Sequence, residues 1–99
     1  SIREVCDEKG IILIFDECTS GFRETFGGIH LKFDVDPDMA IFGKALGNGY
    51  PITAIVGKSK IMRELSDSFV SSTFWSDRVG PVAALATLNK MEKILNGIC

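Results

Sequence analysis

A chain of 99 residues with a formal net charge of −2 holds one small domain at most, and its near-neutral balance gives no footing for a nucleic-acid partner. The longest strictly apolar run, Ile11 to Phe15, is far too short to span a bilayer, so no membrane partner is expected, and polar residues 1–10 do not read as a signal peptide. The cysteines Cys6, Cys18 and Cys99 are odd in number and lack a C-x-x-C pair, which argues against a disulfide framework or zinc site and for a reducing, cytoplasmic compartment.

Ile2, Val5 and Cys6 fall on one helical stripe, and Lys9-Gly10 supplies a basic last turn and a glycine stop. Ile11 to Phe15 predicts a strand covered on both faces, running into Asp16-Glu17. Residues 18–30 contain Gly21, Gly27 and Gly28 and read as loop. A short helical or irregular stretch is expected at 29–33, then a turn from Asp34 to Asp38 around Pro37. Met39 to Phe42 predicts a second strand, and Gly47-Asn48-Gly49 a turn rich in left-handed conformation. Ile52 to Val56 predicts a third strand that Gly57 ends, and Ser59 an N-cap for a helix over 60–66. Residues 67–78 read as a polar and aromatic loop. Pro81 suits the first turn of a last helix whose apolar face is Leu85, Leu88, Met91 and Leu95. The long connection between the first two strands lets them lie parallel. The chain starts within a helix, without an initiator methionine, and stops on Cys99 just past another; a fragment is expected.

Two segments carry the chemistry. The run Ile11 to Phe15 stops on Asp16-Glu17, and the strand ending at Phe42 leads into Gly43-Lys44-Ala45-Leu46-Gly47-Asn48-Gly49-Tyr50-Pro51. In an open α/β sheet, ligands bind beyond the carboxyl ends of strands. A carboxylate there pairs with a pyridine nitrogen, and a lysine nearby forms a Schiff base, which is what a pyridoxal-phosphate enzyme needs. The plainer readings are a turn aspartate and a solvated loop lysine. For Lys44 the apolar strand leading in and the small residues around it favour the functional reading.

Neither Gly-Lys pair is a P-loop. Gly43-Lys44 is followed by Ala45, and Gly57-Lys58-Ser59 has Ile52 where the first glycine must stand. Thr73, shortly before a helix, could bind a phosphate, although an ordinary turn or cap explains its spacing as well. Phe69, Phe74 and Trp75 read as core or pocket lining, with core the default, and lone His30 receives no role. Asp34, Asp36 and Asp38 surround Pro37 without a distal glutamate at EF-hand spacing, so no metal site is expected.

The run Ile14-Phe15-Asp16-Glu17, Ser20-Gly21-Phe22-Arg23, Pro37-Asp38 and Gly43 through Pro51 resembles class III pyridoxal-phosphate aminotransferases, in the branch of glutamate-1-semialdehyde 2,1-aminomutase. The resemblance extends through Ser72-Thr73-Phe74 and Gly80-Pro81. It implies pyridoxal 5'-phosphate as cofactor, a small-molecule amino donor and carbonyl acceptor as substrates, and a homodimer when complete. It implies that Asp16 pairs with the pyridine nitrogen, that Lys44 forms the internal aldimine, and that Thr73 contacts the cofactor phosphate, usually across the dimer interface. Cys18 falls where the family commonly has Val or Ile against the ring face, and Ser76-Asp77-Arg78-Val79 departs from a shorter stretch.

The implied fold class is α/β, part of the large domain of a fold-type-I transferase, with a mostly parallel sheet flanked by helices. Residues 1–99 would be a partial cofactor-binding large domain carrying the Schiff-base lysine, which should leave strand edges and apolar faces uncovered. The expected function is amino-group transfer by a transaminase or aminomutase. The alternatives are a non-catalytic truncated remnant, or a racemase or decarboxylase on the same fold.

Overall fold

The computed structural model describes residues 1–97, so Cys99 lies outside the described residues. Helix α1 (Ile2–Lys9) starts from a capping box. The Ser1 hydroxyl accepts from the Glu4 N–H, and the Glu4 carboxylate accepts from the Ser1 nitrogen. The helix ends as expected at Gly10, which takes the left-handed conformation at φ 64°.

Three short strands follow: β1 (Ile14–Asp16), β2 (Met39–Phe42) and β3 (Ala54–Gly57), in the spatial order β1-β2-β3. β1 and β2 are parallel, with Ile14 opposite Met39 and Asp16 opposite Ile41. β2 and β3 are antiparallel, with Met39 opposite Gly57 and Phe42 opposite Ala54, so the sheet is mixed. The expected strand over Ile11 to Phe15 therefore begins later. The N–H groups of Asp38 and Met39 both donate to the Leu13 carbonyl, and β2 offers ladder partners only from Met39 onward. Nor is β1 covered on both faces. It has one strand neighbour, and Ile14 is half exposed.

Asp38 fastens this sheet at its lower end. Its carboxylate accepts from the Leu13 N–H at 2.8 Å, from Arg3 at 3.0 Å and from Lys58 at 3.0 Å. It thus ties α1, the approach to β1 and the end of β3 to the start of β2. The Leu13 amide bond, followed by Lys58 and Arg3, holds the Asp38 carboxyl at a pKa of about 2, against the opposing effect of burial.

The core lies on one face of β2, where Ala40 and Phe42 are buried with Leu46 and Ala84. Phe22, Ile52, Ala54 and Leu88 pack around them. Helix α2 (Ser59–Met62) runs on into a 3-10 turn at Arg63–Asp67. Ser59 is not its N-cap. That place belongs to Lys58, whose extended backbone donates its N–H to the Asp38 carbonyl as β3 ends.

Helix α3 (Val79–Leu95) carries Pro81 in its first turn, as expected. Its packed face is a correction, however. Gly80 and Ala84 are buried and Leu88 joins the core, whereas Leu85 and Leu95 are 60% and 63% exposed. Small residues win because the helix comes so close. A Cβ on Gly80 would lie 3.0 Å from the Pro51 carbonyl oxygen and 3.1 Å from Ile52 Cβ.

Candidate functional site

The parallel pairing of β1 and β2 brings their carboxyl ends to the same edge of the sheet. β1 delivers Asp16 there. β2 delivers Gly43 and Lys44, and the chain returns through Thr53 into β3. How tightly these segments converge is visible at Gly43: a Cβ there would lie 3.3 Å from Cys18 Sγ and 3.5 Å from Thr53 Cγ2.

Lys44 has a positive φ of 37°, a region a lysine seldom occupies. Its carbonyl accepts from the N–H groups of Gly47 and Asn48, a tight turn that holds this conformation. Strained non-glycine residues of this kind cluster at ligand sites. The Lys44 amine donates to Thr19 Oγ1 at 2.7 Å, and among the described residues no ion pair reaches it.

Asp16 Oδ1 accepts from the Cys18 N–H at 3.1 Å. The neighbouring Asp16 carboxylate pushes the Cys18 thiol above its ordinary pKa. Burial raises it further, while the charge of Lys44 pulls the other way. Cys18 lies in the turn between Asp16, which accepts from its N–H, and Thr19, which accepts from the Lys44 amine.

The turn carrying Cys18 and Thr19 is braced on all sides. The Glu17 N–H continues the ladder to the Ile41 carbonyl at 2.8 Å, and the Gly21 N–H donates to the Glu17 carbonyl at 2.8 Å. Arg23 Nε donates to the Thr19 carbonyl at 2.6 Å. Glu17 itself is 2% exposed, and its carboxylate accepts from the Ser20 hydroxyl and the Ile29 N–H and pairs with His30 Nδ1. Burial acts to raise the Glu17 pKa, but the bonds from His30, Ile29 and Ser20 outweigh it and leave the carboxyl below its usual value. His30, given no role by the sequence, thus anchors the loop after β1. Nothing in its isolated position signals the pairing.

Thr73 lies in the exposed segment before α3. It shares with Lys44 the wall of an open cavity of about 1410 Å³, together with Arg23, Thr53, Ser72 and Trp75. Asp16 borders a separate, smaller cavity of about 330 Å³ with Phe15, Glu17, His30 and Phe33. The structure thus brings Lys44 and Thr73 to one cavity, while Asp16 borders the other. Phe69, Phe74 and Trp75 are exposed rather than core, and Phe74 and Trp75 line the larger cavity. Cys6 and Cys18 are both free.

Comparison with known proteins identifies the family. The family model described as aminotransferase class-III matches residues 1–96. The chain is 46% identical over 94 residues to a 3-aminobutyryl-CoA aminotransferase of Cloacimonas acidaminovorans (strain Evry), covering 94% of this chain and 23% of that protein. It is 41% identical over 95 residues to a glutamate-1-semialdehyde 2,1-aminomutase of Ignicoccus hospitalis, covering 93% and 22%. Among solved structures, the FumI protein of Sphingopyxis sp. MTA144, in its PLP internal aldimine form, superimposes with a TM-score of 0.86 at 35% identity, covering 92% of this chain and 22% of that one. The chain spans less than a quarter of the length of these relatives. By the extent of the family match and the identity of these relatives, the chain belongs to the class-III aminotransferase family.

Proposed function

We propose that this chain forms the lysine-bearing part of a pyridoxal 5'-phosphate site that moves amino groups between a small-molecule amino donor and a carbonyl acceptor. The observation that carries this reading is that two parallel strands end at Asp16 and at Gly43-Lys44, with Cys18 Sγ 3.3 Å from where a Cβ on Gly43 would lie. The donor set fits the group. It comprises an amine without an ion-pair partner among the described residues, a carboxylate two positions before a small apolar side chain, and a hydroxyl on the wall of the cavity that the lysine also lines.

The bound cofactor supplies an electron sink for the pair left when a substrate Cα–H bond breaks. Asp16 keeps a proton on the pyridine nitrogen. Cys18 packs against the ring, where its thiol acts as a small apolar surface. Lys44 holds the cofactor covalently through Nζ and, once released, carries a proton at the substrate Cα. Thr73 donates its hydroxyl to the phosphate. Its exposure suits a contribution across the subunit boundary of a homodimer.

In the full-length protein, Lys44→Ala is expected to lower transfer of nitrogen from an isotopically labelled donor by more than about a thousandfold. Mass spectrometry of the aminated acceptor reads this directly. Full transfer by the variant would refute the assignment of Lys44.

A further inference from the structure

We propose that Thr19 is the positioning residue for Lys44: its hydroxyl docks the lysine amine whenever that amine is not bonded to the cofactor. The inference rests on the reading of Lys44 given above. Its footing is the bond from Lys44 Nζ to Thr19 Oγ1 at 2.7 Å, which joins the β2–β3 connection to the turn after β1.

Three features make this contact more than a chance surface bond. First, Thr19 is fixed in place. Its carbonyl accepts from Arg23 Nε at 2.6 Å, the preceding residue bonds back to Asp16, and the following one donates to buried Glu17 at 3.0 Å. Second, the backbone of Lys44 is itself pinned in a left-handed turn by Gly47 and Asn48, so both ends of the bond stand on ordered supports. A reactive group is held to useful accuracy only when its support is locked in this way.

Third, the partner is a hydroxyl. A lysine ammonium offers only donors, and a carboxylate in this place would favour that charged form. A hydroxyl can accept one N–H and leave the nitrogen able to react. After giving one proton to solvent, Nζ as the neutral amine can bond to the cofactor aldehyde carbon, its two remaining protons departing with the aldehyde oxygen as water. When a substrate amine takes over that carbon, the released Nζ returns to Thr19, within reach of the atoms it must protonate. A freely rotating lysine would lose this orientation, since its side chain carries large rotamer entropy.

The test uses the full-length protein stripped of cofactor, with pyridoxal 5'-phosphate added back. Borohydride is added at timed intervals, and the adduct on Lys44 is quantified by peptide mapping. This reads capture of the cofactor rather than turnover. Thr19→Val keeps the shape and removes the acceptor; Thr19→Ser keeps the acceptor. The expected result is capture about fivefold slower in T19V and close to the wild-type rate in T19S. Equal rates in all three proteins, or equal slowing in both variants, would overturn the role of the hydroxyl. If T19V fails to fold, as judged by circular dichroism, T19A replaces it, and T19S must still match the wild type. Absence of any Lys44 adduct in the wild type would instead strike the proposed function itself.

Discussion

The turn from Glu17 to Arg23 and the segment 68–78 both contribute to the cavity edge, but they are built in opposite ways. The turn reaches outward for its order: to Ile41 on the neighbouring strand and to Ile29 and His30 across the loop. In the segment before α3, the hydrogen bonds are local. Trp75 N–H donates to Ser72, Asp77 N–H to Phe74, and Val79 N–H to the Asp77 side chain. Phe69 is 95% exposed and Trp75 66%. The lysine side of the site is thus preorganised by the sheet, whereas among the described residues no hydrogen bond ties the Thr73 side to it.

Breaking the braced region should have the largest effect. Glu17→Leu leaves the Ile29 N–H, the Ser20 hydroxyl and His30 without their acceptor. A loss of about 3 kcal/mol is expected in urea unfolding of the full-length protein. A loss below about 1 kcal/mol would mean that the carboxylate does not hold the loop.

Acid sharpens the comparison at the other end of the same sheet. The Asp38 carboxyl lies near 2 in the folded protein against an ordinary 3.8. A depressed folded pKa gives stability that is present above the unfolded value and lost as pH falls through the folded one. The thermal midpoint of the wild type should therefore drop more steeply between about pH 4 and pH 2 than that of Asp38→Asn. Parallel profiles would show that Arg3, Leu13 and Lys58 do not favour the charged form.

The exposed segment should respond least. Trp75→Ser and Thr73→Val are expected to shift unfolding free energy by no more than about 0.5 kcal/mol. Thr73→Val should nevertheless weaken retention of pyridoxal 5'-phosphate about tenfold, measured by fluorescence titration, because it removes a donor to a charged group. Retention equal to the wild type would remove Thr73 from the phosphate site.

The sequence is most legible where one residue type has one physical outcome. Gly10 stops α1, Met39–Phe42 forms β2, and Pro81 enters the first turn of α3. It misleads where size and closeness compete. Counting large apolar residues selects Leu85 and Leu95 on α3, but the helix packs through Gly80 and Ala84, since only small residues allow its approach to Pro51 and Ile52. The site shows the same division. Asp16 and Lys44 are legible as strand-end residues, and parallel pairing brings them to one edge. Thr19 and His30 are not, because their partners Lys44 and Glu17 lie 25 and 13 residues away and no periodic pattern links them.

The central claim is that Lys44 is the residue that holds the cofactor. The direct measurement is borohydride reduction of the natively purified full-length protein, followed by intact mass and peptide mapping. The account predicts one pyridoxyl-phosphate adduct per chain, on Lys44. An adduct on another lysine, or a chain carrying none after incubation with pyridoxal 5'-phosphate, would contradict it.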